Sequence, residues 1–274
     1  MISICFAGVT GWTAGPILAD IDRADDLTVV AGVSRSAAGR SLAELTGLPF
    51  DGRVHASVAD AYGQAPADVM IDFTSAAAVR GNVRAALEAG AHIVVGSSGL
   101  TADDYADLDR HARSRGVGIV AAGNFSILAA VLRRAATIAA DHVDRWEIID
   151  YASDAKPDVP SGTSRELAET LGEIRQPANT LSLADLQGPV EARGTDVGGT
   201  RIHSVRLPSF LVSTEIIFAA AGERLTIRHD PGLTADPYVA GTLLAVRAVT
   251  QRVGLIRGLD ALLFGPTPSR TEGS

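Results

Sequence analysis

Short apolar runs alternate with helix-forming segments along the first part of the chain. The apolar runs are ISICFAG, LTVVAGVS, DVMIDFT, AHIVVGS and VGIVAAGNFS. The segments 76–90 and 101–116 between them are rich in helix-forming residues and end at glycine. This alternation predicts a parallel sheet with crossover helices. Each run ends in a small or polar residue, and the carboxyl ends of parallel strands form the ligand crevice of an open α/β sheet.

The pattern changes after about residue 125. We predict a helix over 127–142, a strand at RWEIIDYAS and a short helix at SRELAETLG. Four strands are predicted next, with a hairpin turn at Ala-Gly-Glu before the last: TLSLADL, TRIHSVRLP, FLVSTEIIFAAA and ERLTIRHD. Because no helix separates these strands, their sheet should be mostly antiparallel. From Asp236 the helical stretch PYVAGTLLAVRAVTQ indicates a return to the first domain, and 265–274 are predicted to be an irregular tail.

Composition narrows the range of partners. The chain has 274 residues, of which 46% are hydrophobic and 20% charged, and its formal net charge is -8. This charge disfavours nucleic acid and anionic membranes. No apolar run approaches the ~20 residues that span a bilayer, and the start MISICFAG lacks the basic segment of a signal peptide. The single cysteine, Cys5, suits the core of a protein in a reducing compartment. We therefore expect a cytoplasmic protein.

A glycine-rich turn follows the first apolar run directly. In GVTGWTAG, Gly8, Gly11 and Ala14 have the spacing G-x-x-G-x-x-[GA]. Glycine lets the backbone approach a pyrophosphate, and the N-terminus of the following helix offers free amides and a positive dipole end. We predict a dinucleotide site that includes Gly8, Gly11, Trp12 and Thr13. The alternative is that the glycines serve packing only.

The end of the second apolar run indicates which dinucleotide is bound. NAD sites usually place an acidic residue here for the ribose 2′-hydroxyl, whereas this chain has Ser34, Arg35 and Ser36. A guanidinium together with hydroxyls suits a 2′-phosphate. We predict NADPH as the preferred cofactor, with NADH as the second choice. The alternative is that Arg35 is an ordinary solvated surface residue.

A second anion site is predicted in KPDVPSGTSREL. Thr163 precedes Glu166 by three residues, which is the capping-box pattern of a helix start. Ser161, Gly162 and Thr163 then present backbone amides and hydroxyls at the positive end of that helix, and Lys156 adds a point charge. Such a group suits a carboxylate. The alternative is a capped surface helix with an exposed lysine.

Seven segments together resemble the dihydrodipicolinate reductase (4-hydroxy-tetrahydrodipicolinate reductase) family of lysine biosynthesis. They are GVTGWTAG, IDFT, GSSG, AGNFS, EIID, KPDVPSGT and IRHD, and they cover nearly the whole chain. The K-x-D-x-P-S-G-T run is the most specific of them. The resemblance implies a Rossmann doubly wound parallel sheet at 1–125 and 237–274, with NAD(P)H as hydride donor. It implies an inserted α+β domain with a mostly antiparallel sheet at 126–236, which binds substrate and commonly builds a homotetramer.

The resemblance also implies roles for individual residues. Lys156 matches the family's substrate-binding lysine, and Ser161, Gly162 and Thr163 match its cradle for the substrate carboxylate. Ser98 is expected to contact both substrate and cofactor. The segments that line the nicotinamide pocket correspond to Phe73, Thr74, Gly96, Ser98, Gly123, Asn124 and Phe125.

One departure from the family concerns the proton donor. Family members typically have a histidine pair three residues before the lysine, and the first of the pair is proposed as the general acid. This chain has Ala152 and Ser153 at those places. Because the cofactor supplies only the hydride, another group or water must supply the proton.

Neighbouring side chains offer several replacements for the missing acid. Tyr151 should point away from the face of Ala152, because side chains alternate along a strand. Asp154 is expected to be solvated and ionised, although burial would make it an acid. His203 is the histidine of the later strands that we expect nearest the crevice, and its alternative role is structural. We favour Lys156 as the catalytic residue, with a bound water as the other choice.

The six histidines are scattered without close ligand spacing, so the sequence gives no support for a metal site. No pattern for covalent catalysis is present either. The sequence therefore supports hydride transfer to a small cyclic imine or enamine carboxylate, with dihydrodipicolinate as the first choice. Two alternatives stay open: a reductase of another imino or enamine acid on the same scaffold, and a non-catalytic NADP-binding sensor.

Overall fold

A computed structural model describes residues 1–179 and 181–265 of the chain. The chain forms two compact units, the first made of Met1–Ile127 with Ala235–Leu263 and the second of Leu128–Thr234 with the described residues Phe264 and Gly265. From residue 266 onward the predicted tail lies outside the described residues, as does Thr180 in the predicted strand TLSLADL.

Twelve strands and nine α-helices make up the described part of the chain. The strands are β1 Ile2–Ala7, β2 Leu27–Val33, β3 Arg53–His55, β4 Val69–Asp72, β5 His92–Val95, β6 Gly118–Ala121, β7 Trp146–Ala152, β8 Thr195–Val197, β9 Thr200–Arg206, β10 Val212–Ala220, β11 Glu223–His229 and β12 Gly254–Arg257. The helices are α1 Ala14–Asp22, α2 Leu42–Thr46, α3 Val58–Gln64, α4 Val79–Glu88, α5 Ala102–Arg115, α6 Ile127–His142, α7 Gly162–Ile174, α8 Val239–Val249 and α9 Leu259–Phe264.

A seven-stranded parallel sheet forms the centre of the first unit, in the order β12-β6-β5-β4-β1-β2-β3. The order reverses at β1, whose two neighbours are β2 and β4. One face packs on α3, α4 and α5 through residues such as Cys5 and Met70. Because helices cover the sheet, its central strands are buried on both faces, which is why they appear in the sequence as continuous apolar runs.

A five-stranded sheet in the order β11-β10-β7-β9-β8 forms the second unit. Only the pair of β7 and β9 is parallel, and the other three pairs are antiparallel. One face packs on α6 and α7 through Trp146, Ile148, Ile216 and Phe218. Burial alternates strictly along β7, so its remaining side chains lie on the opposite face of the sheet.

The predicted fold class is confirmed: a doubly wound parallel sheet is followed by an α+β unit with a mostly antiparallel sheet. Strands β3, β8 and β12 were not predicted. The predicted strand TLSLADL is wrong, because Leu183–Asp185 form a 3₁₀ turn. There the Ser182 hydroxyl bonds to Asp185 (2.7 Å), and such local side-chain bonds compete with strand formation.

Candidate functional site

The glycine turn lies at the carboxyl end of β1, where the strand order reverses. Gly8 has φ +91°, and a Cβ at this position would overlap the carbonyl oxygen of Phe73. The Gly11 amide donates to the Gly8 carbonyl oxygen at 2.7 Å, and α1 begins three residues later. The turn therefore depends on glycine geometry and has the strand–turn–helix context in which such a motif binds a dinucleotide.

Two further residues of this turn differ in exposure. Thr13 is buried and is the N-cap residue of α1. Trp12 is 58% exposed, and its ring packs edge-on against Tyr238 with the ring centroids 5.9 Å apart. The indole thus adds an open aromatic surface next to the glycine turn.

A row of hydroxyls connects the glycine turn with the end of β2. The Thr10 hydroxyl oxygen lies 3.0 Å from that of Ser34, which lies 3.2 Å from that of Ser36. Arg35 is exposed, and its guanidinium has no salt bridge within the described part of the chain. The structure thus brings the three predicted residues of this segment together beside the turn.

Asp72 ties together the loops that follow β4 and β5. Its carboxylate is fully buried and accepts hydrogen bonds from the hydroxyls of Thr74 (2.8 Å) and Ser97 (2.5 Å) and from the Asn82 amide (2.8 Å). The Thr74 amide also donates to the Ser97 hydroxyl at 2.6 Å. The IDFT and GSSG segments therefore form one hydrogen-bonded unit. Ser98 next to them is exposed.

Phe73 stands at the centre of an aromatic cluster. It stacks on Phe6 at a centroid distance of 6.4 Å and meets Phe125 edge-on at 5.7 Å. A Cβ at Gly96 would overlap the Phe73 ring, so this position also needs glycine. The structure therefore brings together three of the residues predicted to line the nicotinamide pocket: Phe73, Gly96 and Phe125.

The AGNFS segment ends the sixth strand beside this cluster. The Asn124 side-chain oxygen accepts a hydrogen bond from the Ser126 amide (2.8 Å), and Gly123 is exposed. All predicted cofactor residues thus lie at the carboxyl ends of β1, β2, β4, β5 and β6, where a doubly wound sheet binds its ligand.

The predicted carboxylate cradle lies at the start of α7 in the second unit. The helix begins at Gly162 with Ser161 as its N-cap, so the predicted capping box of Thr163 and Glu166 is wrong. Glu166 instead forms a salt bridge with Arg133 of α6 at 2.6 Å.

Ser161 itself is fully engaged by the protein. Its amide donates to Asp150 at 2.9 Å and its hydroxyl at 2.5 Å. The amides of Gly162 and Thr163 have no intrahelical acceptor, because they belong to the first turn of the helix. These two amides, and not the Ser161 hydroxyl, are the donors that the cradle leaves for an anion.

Lys156 lies on the loop between β7 and α7. Its side chain is 30% exposed, and Nζ forms a salt bridge with Asp158 at 2.8 Å. It is the only lysine of the chain, because every other member of the 24 Lys and Arg residues is arginine. An ammonium is a compact cation that can give up a proton, whereas a guanidinium stays protonated.

The other candidate proton donors are placed less favourably. Tyr151 lies on the opposite face of β7 from Ala152, as predicted, where burial and the charge of Glu215 raise its pKa. His203 bonds to Glu147 at 2.7 Å on that same face, which supports its structural role. Ala152 is fully buried and carries no titratable group.

Two functional residues escaped the sequence-based prediction, namely Asp72 and Asp150. Each is the last acidic residue of a buried strand, in VMID and EIID, and each organises a predicted ligand loop. The sequence did offer a signal, namely an acidic residue at the end of an apolar run. Such a residue indicates a buried charge, which needs several hydrogen-bonding partners. No cluster of three or more potential metal ligands occurs in the described ranges. No helix among those ranges is long and apolar enough for a membrane span.

The fold and the site define a class of protein. A glycine turn at the switch point of a parallel sheet, with an ammonium and free helix amides in the same chain, belongs to a nicotinamide-dependent oxidoreductase of a small carboxylate. Residues 2–125 match the family model for the N-terminus of dihydrodipicolinate reductase, and residues 125–263 match that for its C-terminus. The chain belongs to the dihydrodipicolinate reductase family.

Relatives agree with this assignment over nearly the full length. The 4-hydroxy-tetrahydrodipicolinate reductase of Synechococcus elongatus is 36% identical over 271 residues, which cover 96% of this chain and 98% of the relative. That of Moorella thermoacetica is 35% identical over 263 residues, covering 96% and 98%. The dipicolinate-bound dihydrodipicolinate reductase from Paenisporosarcina sp. TG-14 has a TM-score of 0.79 at 25% identity, covering 96% of this chain and 99% of that one.

Proposed function

We propose that the chain catalyses the NAD(P)H-dependent reduction of 4-hydroxy-tetrahydrodipicolinate in lysine and diaminopimelate biosynthesis. The observation that carries the proposal is that the sole lysine, Lys156, lies on the short loop that leads into α7, whose first-turn amides are free of helical partners. Relatives of that name match the chain over nearly its full length, which argues against a sensor and against another imino acid as substrate.

Each part of the site has a task in this reaction. The amides of Gly162 and Thr163 bind a substrate carboxylate at the positive end of the α7 dipole. Lys156 adds a charge-assisted hydrogen bond and holds a proton on Nζ. The bound nicotinamide cofactor supplies the hydride. The 4-hydroxyl group of the substrate leaves as water, which gives the conjugated dihydrodipicolinate ring that takes up the hydride. In place of the family's histidine, Lys156 then delivers the proton to this ring.

NADPH is the cofactor that we propose in preference to NADH. The support is the group of Ser34, Arg35 and Ser36 at the end of β2, together with Thr10 of the glycine turn. Their hydroxyls and a free guanidinium suit the three oxygens of a 2′-phosphate. An acidic residue that would bind a ribose 2′-hydroxyl is not part of this group.

Replacing Arg35 by alanine should weaken NADPH selectively. We expect KM for NADPH to rise about 10- to 100-fold, because a charge-assisted contact to the phosphate is lost, while KM for NADH changes little. Steady-state kinetics with both cofactors measures this. Arg23→Ala is the matched control, since Arg23 is an exposed arginine paired with Asp20 on α1. An unchanged preference for NADPH in Arg35→Ala contradicts the assignment.

A homotetramer built through the sheet of the second unit is the assembly that we propose. The face of β7 opposite the helices carries half-buried side chains, among them Ile149 and Tyr151. A sheet face that carries half-buried apolar and aromatic side chains is suited to packing against a second copy of the chain. Native mass spectrometry tests the subunit number, and a monomer at micromolar concentration would contradict it.

A cytoplasmic location is also proposed. The single cysteine supports it, because Cys5 has no partner for a disulfide, and burial together with the charge of Asp72 raises its thiol pKa to about 12. The net charge of -8 agrees with a small-molecule substrate and with no nucleic-acid or membrane partner.

The proposed reaction is tested by following NADPH loss at its absorbance maximum. Dihydrodipicolinate, generated enzymatically, is compared with a panel of cyclic imino acids. We expect oxidation of NADPH with the former and slower oxidation with the panel. Turnover of panel members alone would assign a different imino acid, and tight NADPH binding without any turnover would indicate a sensor.

A further inference from the structure

Asp150 is a fully buried carboxylate at the carboxyl end of β7. It receives the amide and hydroxyl of Ser161, described above, and two further hydroxyls, those of Ser164 and Ser204, both at 3.1 Å. The Arg206 guanidinium adds a salt bridge at 2.8 Å. Most of these donors belong to the N-cap and first turn of α7, so Asp150 fixes the start of the helix that carries the free amides.

Arg206 extends the same network to the loop that carries Lys156. Its Nη2 atom donates to the Asp158 carbonyl oxygen at 2.9 Å as well as to Asp150. The Asp158 carboxylate in turn binds Lys156 Nζ at 2.8 Å. One guanidinium therefore joins the strand, the lysine loop and, through Asp150, the first turn of α7.

Asp150 is held in its charged form. Burial alone raises the pKa of this carboxyl group, but the hydrogen bonds from Ser161 and Arg206 outweigh burial and hold the pKa below its usual value. Since the folded pKa is depressed, the contribution of the charged network is present above the ordinary carboxyl pKa and is lost as the pH falls through the lowered value. The network is thus intact at neutral pH.

We propose that Asp150 and Arg206 are positioning residues of the reductase, which hold the Lys156 ammonium at a fixed place relative to the amides of Gly162 and Thr163. We call these two residues the Asp150–Arg206 clamp. The inference rests on the proposed function, because it assigns the clamp to the same carboxylate site. Neither residue has to touch the substrate, since both act through Asp158 and Ser161.

The contacts argue for positioning and not only for stability. The clamp joins two segments that flank the carboxylate site, the Lys156–Ser161 loop and the first turn of α7. The hydrophobic core of this unit is formed elsewhere, by residues such as Trp146 and Phe218. Loss of the clamp should therefore alter the geometry of the site while the core still folds.

The sole lysine allows a direct test. In protein made with lysine labelled with ¹³C at Cε, one side-chain signal reports on Lys156. Asp150→Asn and Arg206→Gln are compared with wild type, and Asp196→Asn is the control, an exposed carboxylate on β8 of the same sheet. Arg206→Gln adds no second lysine and removes the guanidinium that joins Asp150 to Asp158. It leaves the serine donors of Asp150 in place, so it stays informative if Asp150→Asn does not fold.

In both clamp variants we expect a shift of the Lys156 side-chain signal. KM for dihydrodipicolinate should rise about 10- to 100-fold, the usual effect of losing a partner that orients a ligand-binding group. Binding of NADPH, and all properties of Asp196→Asn, should stay as in wild type.

An unmoved Lys156 signal in folded Arg206→Gln would overturn the clamp, and so would an equal rise of KM for substrate and NADPH. These results differ from failure of the proposed function. If wild type itself does not reduce dihydrodipicolinate, the function fails, and the Lys156 signal alone then decides for or against the clamp.

Discussion

Lys156→Ala is expected to lower kcat/KM for dihydrodipicolinate by about 10²- to 10⁴-fold, the range that a positioned acid contributes. The change removes the proton held on Nζ and one charge-assisted contact to the substrate carboxylate. Affinity for NADPH should stay within about twofold of wild type, because the predicted cofactor residues belong to the other unit and the expected loss is one of chemistry, not of cofactor binding. Stopped-flow kinetics with a separate binding titration measures both quantities.

Lys156→Arg separates charge from proton transfer. A guanidinium keeps the positive charge but does not give up a proton at neutral pH. If Lys156 is the acid, the arginine variant should recover part of the substrate affinity and little of kcat. Recovery of kcat by arginine would show that Lys156 supplies charge alone and that water gives the proton. Arg224→Ala, the loss of an exposed cation on β11, is the control that should leave kcat unchanged.

The strands that sequence predicted and those that it missed differ in burial. The five predicted strands of the first sheet are continuous apolar runs, because helices cover them on both faces. The missed strands β3 and β12 are the two edges of that sheet and have three and four residues. Each also contains an exposed arginine, Arg53 in β3 and Arg257 in β12, so neither appears in the sequence as a continuous apolar run.

The parts of the candidate site that the sequence predicts are those formed by a short continuous motif. The glycine turn and Lys156 are visible in a few consecutive residues, whereas the partners of Asp72 and Asp150 are distant in sequence. Asp72 binds Asn82 and Ser97, and Asp150 binds Arg206, which is 56 positions away. A buried carboxylate shows its role only when the donors that surround it are known.

Gly8→Ala should give the second large effect, a loss of NADPH affinity together with a loss of stability. Gly8 has φ +91°, where a side chain costs about 1–2 kcal/mol, and the added methyl group would overlap the Phe73 carbonyl oxygen. Overpacking of this kind costs about 1–3 kcal/mol more. The overlap can be removed only if the glycine turn or the IDFT loop moves, and both belong to the proposed cofactor site.

The matched control for this change is Gly63→Ala, away from the predicted cofactor residues. Gly63 lies within α3, is exposed, and has no atom within 4 Å of an added Cβ. Alanine there should stabilise the helix by up to about 1 kcal/mol and leave NADPH affinity unchanged. Thermal denaturation and a fluorescence titration with NADPH, run on both variants, compare the two positions directly. Because both variants add the same methyl group, equal NADPH affinity in the two would mean that the backbone at Gly8 does not form the dinucleotide site.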